Sequence, residues 1–151
     1  MNRAESAAAN IAAGKLNCAQ SVLTAFAEEL GLDRELARKI ALGFGAGMGR
    51  TGRTCGAVTG AYMALGLKYQ YLPDKPLENK ERVYRLVRDF DEKFVRIYGT
   101  TTCKGLLNCD LSTPEGAAMA KEKGLTASLC PQFVKAAVEI VEEMMDRTPD
   151  R

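Results

Sequence analysis

The chain has 151 residues, with 46% apolar and 26% charged side chains, which is enough for one substantial core. A formal net charge of +2 without any Lys/Arg block excludes a phosphate-tracking nucleic-acid surface. No apolar run approaches the roughly 18 residues of a membrane span, and histidine and the C-x-x-C spacing are both absent, which removes Ser–His and Cys–His nucleophile pairs, His-ligated zinc or haem, and thioredoxin-type exchange.

Met1-Asn-Arg-Ala-Glu-Ser lacks the apolar core of a signal peptide, so a cytoplasmic protein is expected. Residues 4 to 13 are alanine-rich and read as a helix stopped by Gly14. The next helix runs from Asn17, a good N-cap, to Leu30, with Val22, Leu23, Phe26, Ala27 and Leu30 as its apolar stripe. Gly31 closes it, and Asp33 caps a third helix holding Leu36, Ile40 and Phe44.

The pattern then breaks. Gly43-Phe-Gly-Ala-Gly-Met-Gly-Arg-Thr-Gly52 places five glycines within ten residues, a density that serves positive φ or close backbone approach. A fourth helix starts near Thr54 with Cys55-Gly-Ala-Val-Thr-Gly60. Its small side suits tight packing and is the surface on which a second copy would form a homodimer. Tyr69 to Pro76 form a connection.

The longest helix spans Leu77 to Ile97, with Val83, Leu86, Val87, Phe90, Phe94 and Ile97 as its core stripe. Thr102 caps a short helix with Cys103. Ser112-Thr-Pro-Glu115 reads as a capping box opening a helix that ends at Gly124. The last helix opens at Cys130-Pro131 and runs through Met145. No segment alternates as a strand does, so the expected fold is all-α: a single-domain bundle of six to eight helices over residues 1–151.

Four of the five cysteines thus fall in the first turn of an expected helix: Cys18, Cys55, Cys103 and Cys130. Unpaired N–H groups and the helix dipole there favour a thiolate over a thiol. Cys109 sits in a connection six residues after Cys103. Any one of these cysteines could simply pack, since free cysteine is among the most buried residue types. Four at helix starts favour a functional set.

The glycine-rich loop has two readings. Arg50 and Arg53 give it the look of a phosphate cradle, but it lacks a P-loop's Gly-Lys-Ser/Thr ending and follows no strand. A backbone nest donating N–H groups toward the Cys55 sulfur fits better. Arg50 and Arg53 then either face solvent or balance thiolate charge.

Asn17-Cys-Ala-Gln, the glycine-rich loop, Thr54-Cys-Gly-Ala-Val-Thr-Gly60 and the later Cys103 and Cys130 resemble the C_GCAxxG_C_C family of redox-active proteins, across nearly the whole chain. A related module occurs in split-Soret cytochromes, where a cysteine-bound iron–sulfur centre is implied. The resemblance implies that Cys18, Cys55, Cys103 and Cys130 are the redox or ligand cysteines, with Cys109 competing with Cys103 for one metal position. Gly45, Gly47, Gly49 and Gly56 are then the glycines expected against the cofactor. No haem-attachment sequence is present, so haem does not carry over.

The first function expected is electron transfer or redox sensing through an iron–sulfur cluster, 2Fe–2S or 4Fe–4S, with a separate redox partner protein. A metal-free thiol–disulfide protein, a structural Cys₄ zinc site and an interaction module with no cofactor stand beside it.

Overall fold

The computed structural model describes residues 1–70 and 72–150. Among them are eight right-handed α-helices and no strand. They are α1 (Arg3–Ala12), α2 (Cys18–Ala27), α3 (Arg34–Ala41), α4 (Gly56–Tyr69), α5 (Pro76–Tyr98), α6 (Cys103–Leu107), α7 (Pro114–Lys123) and α8 (Leu125–Arg147). Within the connection expected at Tyr69 to Pro76, Tyr71 lies outside the described residues, and Tyr69 itself still belongs to α4.

Side-chain caps fix several helix starts. Asn2 and Asn17 each form a capping box, with Glu5 and Gln20 respectively, satisfying N–H groups that the first turn leaves open. Asp33 accepts from the Leu36 N–H and Thr102 from the Gly105 N–H. At α7 the cap is Thr113, not Ser112: its hydroxyl accepts from the Gly116 N–H, and Pro114 takes the first helical position.

The core forms where α2, α4, α5 and α8 meet, with α1 laid along α8. Phe26, Val58, Leu65, Tyr69, Phe90, Phe94, Val134, Val138 and Val141 are almost completely buried. The helices α2 and α4 approach closely because Gly60 lets them. A Cβ there would sit 2.9 Å from the Ala19 carbonyl oxygen and 2.9 Å from Val22 Cβ. The small face of α4 is therefore spent inside the chain, against α2, and is not open to a second copy.

Three expectations need correction. In α3 the buried positions are Ala37 and Ala41, while Leu36 and Ile40 are about half exposed, at 48% and 46%. The helix packs its small residues on α2, and Phe44 follows in a separate 3₁₀ turn, Leu42–Phe44. On α5 the core stripe holds through Phe94, but Ile97 is 58% exposed, because Tyr98 takes the next core-facing position, against Phe94 and Phe133. Finally, α8 begins at Leu125, not at Cys130. Gly124, at φ 60°, ends α7 and turns the chain directly into α8, so Pro131 lies inside the helix. A proline there has no N–H for the Ala127 carbonyl.

The burial of Phe94 predicts a large cavity penalty. Phe94→Ala should lower unfolding free energy by about 3–5 kcal/mol in urea titration, whereas Ile97→Ala, on the exposed flank, should cost well under half of that.

Candidate functional site

The segment between α3 and α4 has an uncommon backbone. Ala46, Gly47, Met48, Gly49 and Arg50 all take positive φ, from 54° to 71°. Five successive residues thus form a left-handed turn, closed by the Gly49 N–H on the Gly45 carbonyl at 2.9 Å. Alanine, methionine and arginine each resist this conformation by about 1–2 kcal/mol, because Cβ crowds the carbonyl oxygen. Local bonds hold the turn in place. The Thr51 hydroxyl lies 2.7 Å from the Gly47 carbonyl and 2.8 Å from that of Met48, and the Arg53 N–H donates to Gly47 at 3.0 Å.

The same turn is tied to the start of α2. Asn17 uses its side-chain oxygen for the Gln20 N–H and its side-chain nitrogen for the Leu42 carbonyl, both at 2.9 Å. Residue Gln20 reaches the Arg38 carbonyl. One capping pair therefore fixes the first residue of α2, Cys18, and anchors the chain leading into the left-handed turn.

Past the turn, the backbone around Thr54 pairs with that around Thr102 as an isolated antiparallel bridge. The Cys55 N–H donates to the Thr101 carbonyl at 2.8 Å and the Cys103 N–H to the Arg53 carbonyl at 2.6 Å. That short ladder brings the starts of α4 and α6 side by side, and with them Cys55 and Cys103.

Cys18, Cys55, Cys103 and Cys130 line one cavity of about 340 Å³. They arrive from α2, the N-cap of α4, α6 and the second turn of α8. Apart from Asn17, Thr126 and the four thiols, its described lining is apolar, including Ile11, Leu107, Leu111 and Phe133. Cys130 reaches it from within α8, where no helix end supports its sulfur, so the expected first-turn placement holds for the other three. Cys109 is buried outside this lining, with its thiol donating to the Gly116 carbonyl at 2.9 Å. It braces the α6–α7 connection, where Gly116 passes so near Asp110 that a Cβ would meet its carbonyl oxygen.

The glycines divide in the same way. A Cβ on Gly56 would lie 2.4 Å from Cys18 Sγ, one on Gly47 2.6 Å from Cys103 Cβ, and one on Gly45 2.6 Å from Asn17 Nδ2. Gly49 touches nothing of the cavity and serves the left-handed turn itself. Arg50 and Arg53 are exposed and outside the lining, with Arg53 Nε bonded to the Thr51 hydroxyl.

The electrostatics are uneven. The Cys55 thiol donates to Cys18, and that bond most strongly holds the Cys18 thiol down at about 6, against burial, with further support from the backbone N–H groups of Ala46, Ala19 and Gly56. Cys55 is pushed up, first because its proton is held by Cys18, then by burial and by repulsion from Cys18. Burial first, and then the Cys18 charge, raise Cys103 to about 11 and Cys130 to about 12. One sulfur anion, on Cys18, is thus favoured among four buried thiols. The turn's N–H donation goes to Cys18, not to Cys55 as the sequence suggested, because Ala46 faces the first turn of α2. No group of three His, Cys, Asp or Glu among the described residues is drawn tightly enough together for a single metal ion.

A family described as "Putative redox-active protein (C_GCAxxG_C_C)" matches residues 16–144. The chain belongs to this family. The match spans every element of the cavity except the end of α1. An uncharacterized protein of Archaeoglobus fulgidus is 32% identical to this C_GCAxxG_C_C protein over 131 residues, which is 82% of the chain and 81% of the relative. No solved structure matches the chain. No helix among the described residues is long and apolar enough to cross a membrane.

The close approach at Gly56 yields a paired prediction for the metal-free protein. Iodoacetamide should modify Cys18 first, at a rate that falls as pH drops through about 6, since the depressed thiol is protonated only below that value. Gly56→Ala should move this profile toward higher pH. Gly66→Ala, on the same helix with nothing within 4 Å of its Cβ, should leave the profile unchanged and stabilise the fold by about 0.5–1 kcal/mol.

Proposed function

We propose that this C_GCAxxG_C_C protein is an electron-transfer or redox-sensing protein whose Cys18, Cys55, Cys103 and Cys130 hold an iron–sulfur cluster. The observation that carries the reading is the convergence of four of the five cysteines, from four separate elements, on one cavity with an apolar lining. The donor set fits such a group: it is all sulfur, and Cys₄ ligation is the usual way to hold 2Fe–2S and 4Fe–4S centres. A polynuclear centre also spreads its thiolates more widely than zinc, whose four bonds of about 2.3 Å draw the sulfurs tightly together. When bound, the cluster would supply a one-electron couple.

The chain's own contribution is to shape that couple. Ala19, Ala46 and Gly56 present N–H groups to the Cys18 sulfur, and hydrogen bonds to ligand sulfur stabilise the more negative state. Ile11, Leu107, Leu111 and Phe133 limit water around the sulfurs and keep the local dielectric low. Gly47 and Gly56 allow the backbone to stand where any side chain would displace Cys103 or Cys18. A partner protein supplies or accepts the electrons.

One observation favours a second reading. Cys18 and Cys55 line the same cavity, and the Cys55 thiol is the first cause that holds the Cys18 thiol low while Cys55 itself is pushed up. That is the arrangement of a nucleophile and a resolving thiol in metal-free thiol–disulfide exchange.

Anaerobic purification with iron and acid-labile sulfide analysis separates the two. The expected result is visible absorption with bound iron and sulfide, lost in Cys18→Ser, Cys55→Ser, Cys103→Ser and Cys130→Ser. Cys109→Ala should keep the iron while lowering the melting temperature, since it forfeits a buried bond to Gly116. Colourless protein that cycles between two titratable thiols and one Cys18–Cys55 disulfide, unaffected by Cys103→Ser or Cys130→Ser, would establish the second reading instead.

A further inference from the structure

Phe133 lines the cysteine cavity, and from it a row of aromatic rings crosses the core. Phe133 meets Tyr98 edge-on, with ring centroids 5.0 Å apart. Tyr98 lies 5.1 Å from Phe94, Phe94 stacks on Phe90 at 5.8 Å, and Phe90 meets Tyr62 at 6.1 Å. Phe90, Phe94 and Tyr98 recur every fourth residue, so one face of α5 supplies three rings in succession. The row ends at Tyr62 on α4, whose hydroxyl donates a 2.5 Å hydrogen bond to Asp91 Oδ1.

Packing alone accounts for the two phenylalanines, which are fully buried. The pair at the end satisfies a half-buried hydroxyl and also supplies a proton acceptor. A phenol gives up an electron at an accessible potential only when its proton leaves in the same event, because the phenol radical cation is a very strong acid. A carboxylate already bonded to the hydroxyl is the acceptor that event needs. Phenylalanine is not oxidised at such potentials. Tyr62 is therefore the stop on the row, because its hydroxyl has a carboxylate acceptor, whereas that of Tyr98 meets only the Gln132 carbonyl at 3.4 Å; Tyr98, Phe94 and Phe90 are the packed medium between Tyr62 and the cavity.

Resting on the reading that the cysteine cavity is the redox centre, we infer that Tyr62 is a redox-active tyrosine that refills an oxidised cavity sulfur through Tyr98, with Asp91 as proton acceptor. The sequence begins when a one-electron oxidant removes an electron from a cavity thiolate, leaving a sulfur radical and the reduced oxidant. An electron then leaves Tyr62 and travels along the row to that sulfur. The Tyr62 O–H bond breaks, and its proton passes to the Asp91 carboxylate. The sulfur is again a thiolate, Tyr62 is a neutral phenoxyl radical, and Asp91 is a neutral acid. The oxidising equivalent has moved from sulfur, where further oxidation to sulfinic acid is irreversible, to a ring that a reductant can restore.

The test is electron paramagnetic resonance of anaerobic protein freeze-quenched after mixing with hexachloroiridate(IV). A tyrosyl signal is expected in the wild type. It should be lost in Tyr62→Phe and Asp91→Asn, and should form more slowly in Tyr98→Phe and in Cys18→Ser, which removes the favoured thiolate. Each substitution preserves shape, and circular dichroism should show the fold intact. Tyr84→Phe, which removes an exposed phenol, should leave the signal in place. A signal that survives Tyr62→Phe, or that forms at the same rate without Tyr98 and Cys18, overturns the inference. Iron content measured on the same samples separates the two claims. Iron bound with no Tyr62 radical removes the relay and keeps the cluster, and the Tyr62 radical without iron removes the cluster and keeps the relay.

Discussion

Keeping a sulfur anion in an apolar interior is the constraint around which the cysteine end of this molecule is built. A buried charge without partners is destabilising by several kcal/mol. No Lys or Arg among the described residues lines the cavity, so the Cys18 charge is answered by a thiol and three backbone N–H groups instead. Each donor comes from a different structural device. Ala19 belongs to the open first turn of α2, Gly56 to the open first turn of α4, and Ala46 to the left-handed turn. Dipoles fixed in the backbone suit a redox site, because they stabilise charge without adding a titrating cation of their own.

That solution imposes the other peculiarities of the chain. Backbone N–H groups reach sulfur only if nothing projects between them, so Gly56 stands where a Cβ would fall on Cys18 Sγ. Ala46 can face Cys18 only if the chain winds left-handed, and the strain at Ala46, Met48 and Arg50 is offset by the bonds of Thr51, Arg53 and Asn17. Strain of this kind collects at functional sites, where the surrounding structure over-determines it. The antiparallel contact between residues around Thr54 and Thr102 then sets the register of Cys55 against Cys103, and α8 closes the cavity with Cys130.

Much of this was legible in the sequence because it rests on local signals. The caps at Asn17, Asp33 and Thr102 and the apolar period of α5 placed those helices to within a few residues. Cys18, Cys55 and Cys103 were nameable from their positions at helix starts and from the Cys55-Gly56-Ala57 element, whereas Cys130 was named from the family resemblance and from a helix start that the structure does not have. What was not legible depends on tertiary packing. Cys130-Pro131 has the local look of a helix start, yet Gly124 had already begun the helix, and proline six residues in was tolerated. The glycine-rich loop declared close approach, but its expected target was the Cys55 sulfur; only the left-handed winding directs Ala46 to Cys18 and Gly47 to Cys103. Leu36 and Ile40 carry the apolar residues of α3, but two alanines are what fit against α2. Cys109 differs from Cys103 by its bond to Gly116, a partner in the next helix that no spacing rule reveals. The aromatic row was half visible, as the α5 stripe, while Tyr62 and Phe133 join it from other helices.

The claim that four cysteines share one iron–sulfur centre is tested most directly by crystals grown anaerobically, with anomalous diffraction recorded at the iron edge. The account predicts anomalous density inside the cavity, within bonding distance of the sulfurs of Cys18, Cys55, Cys103 and Cys130, and none at Cys109. An iron-free cavity closed by a Cys18–Cys55 disulfide, or iron bound elsewhere on the molecule, would contradict it.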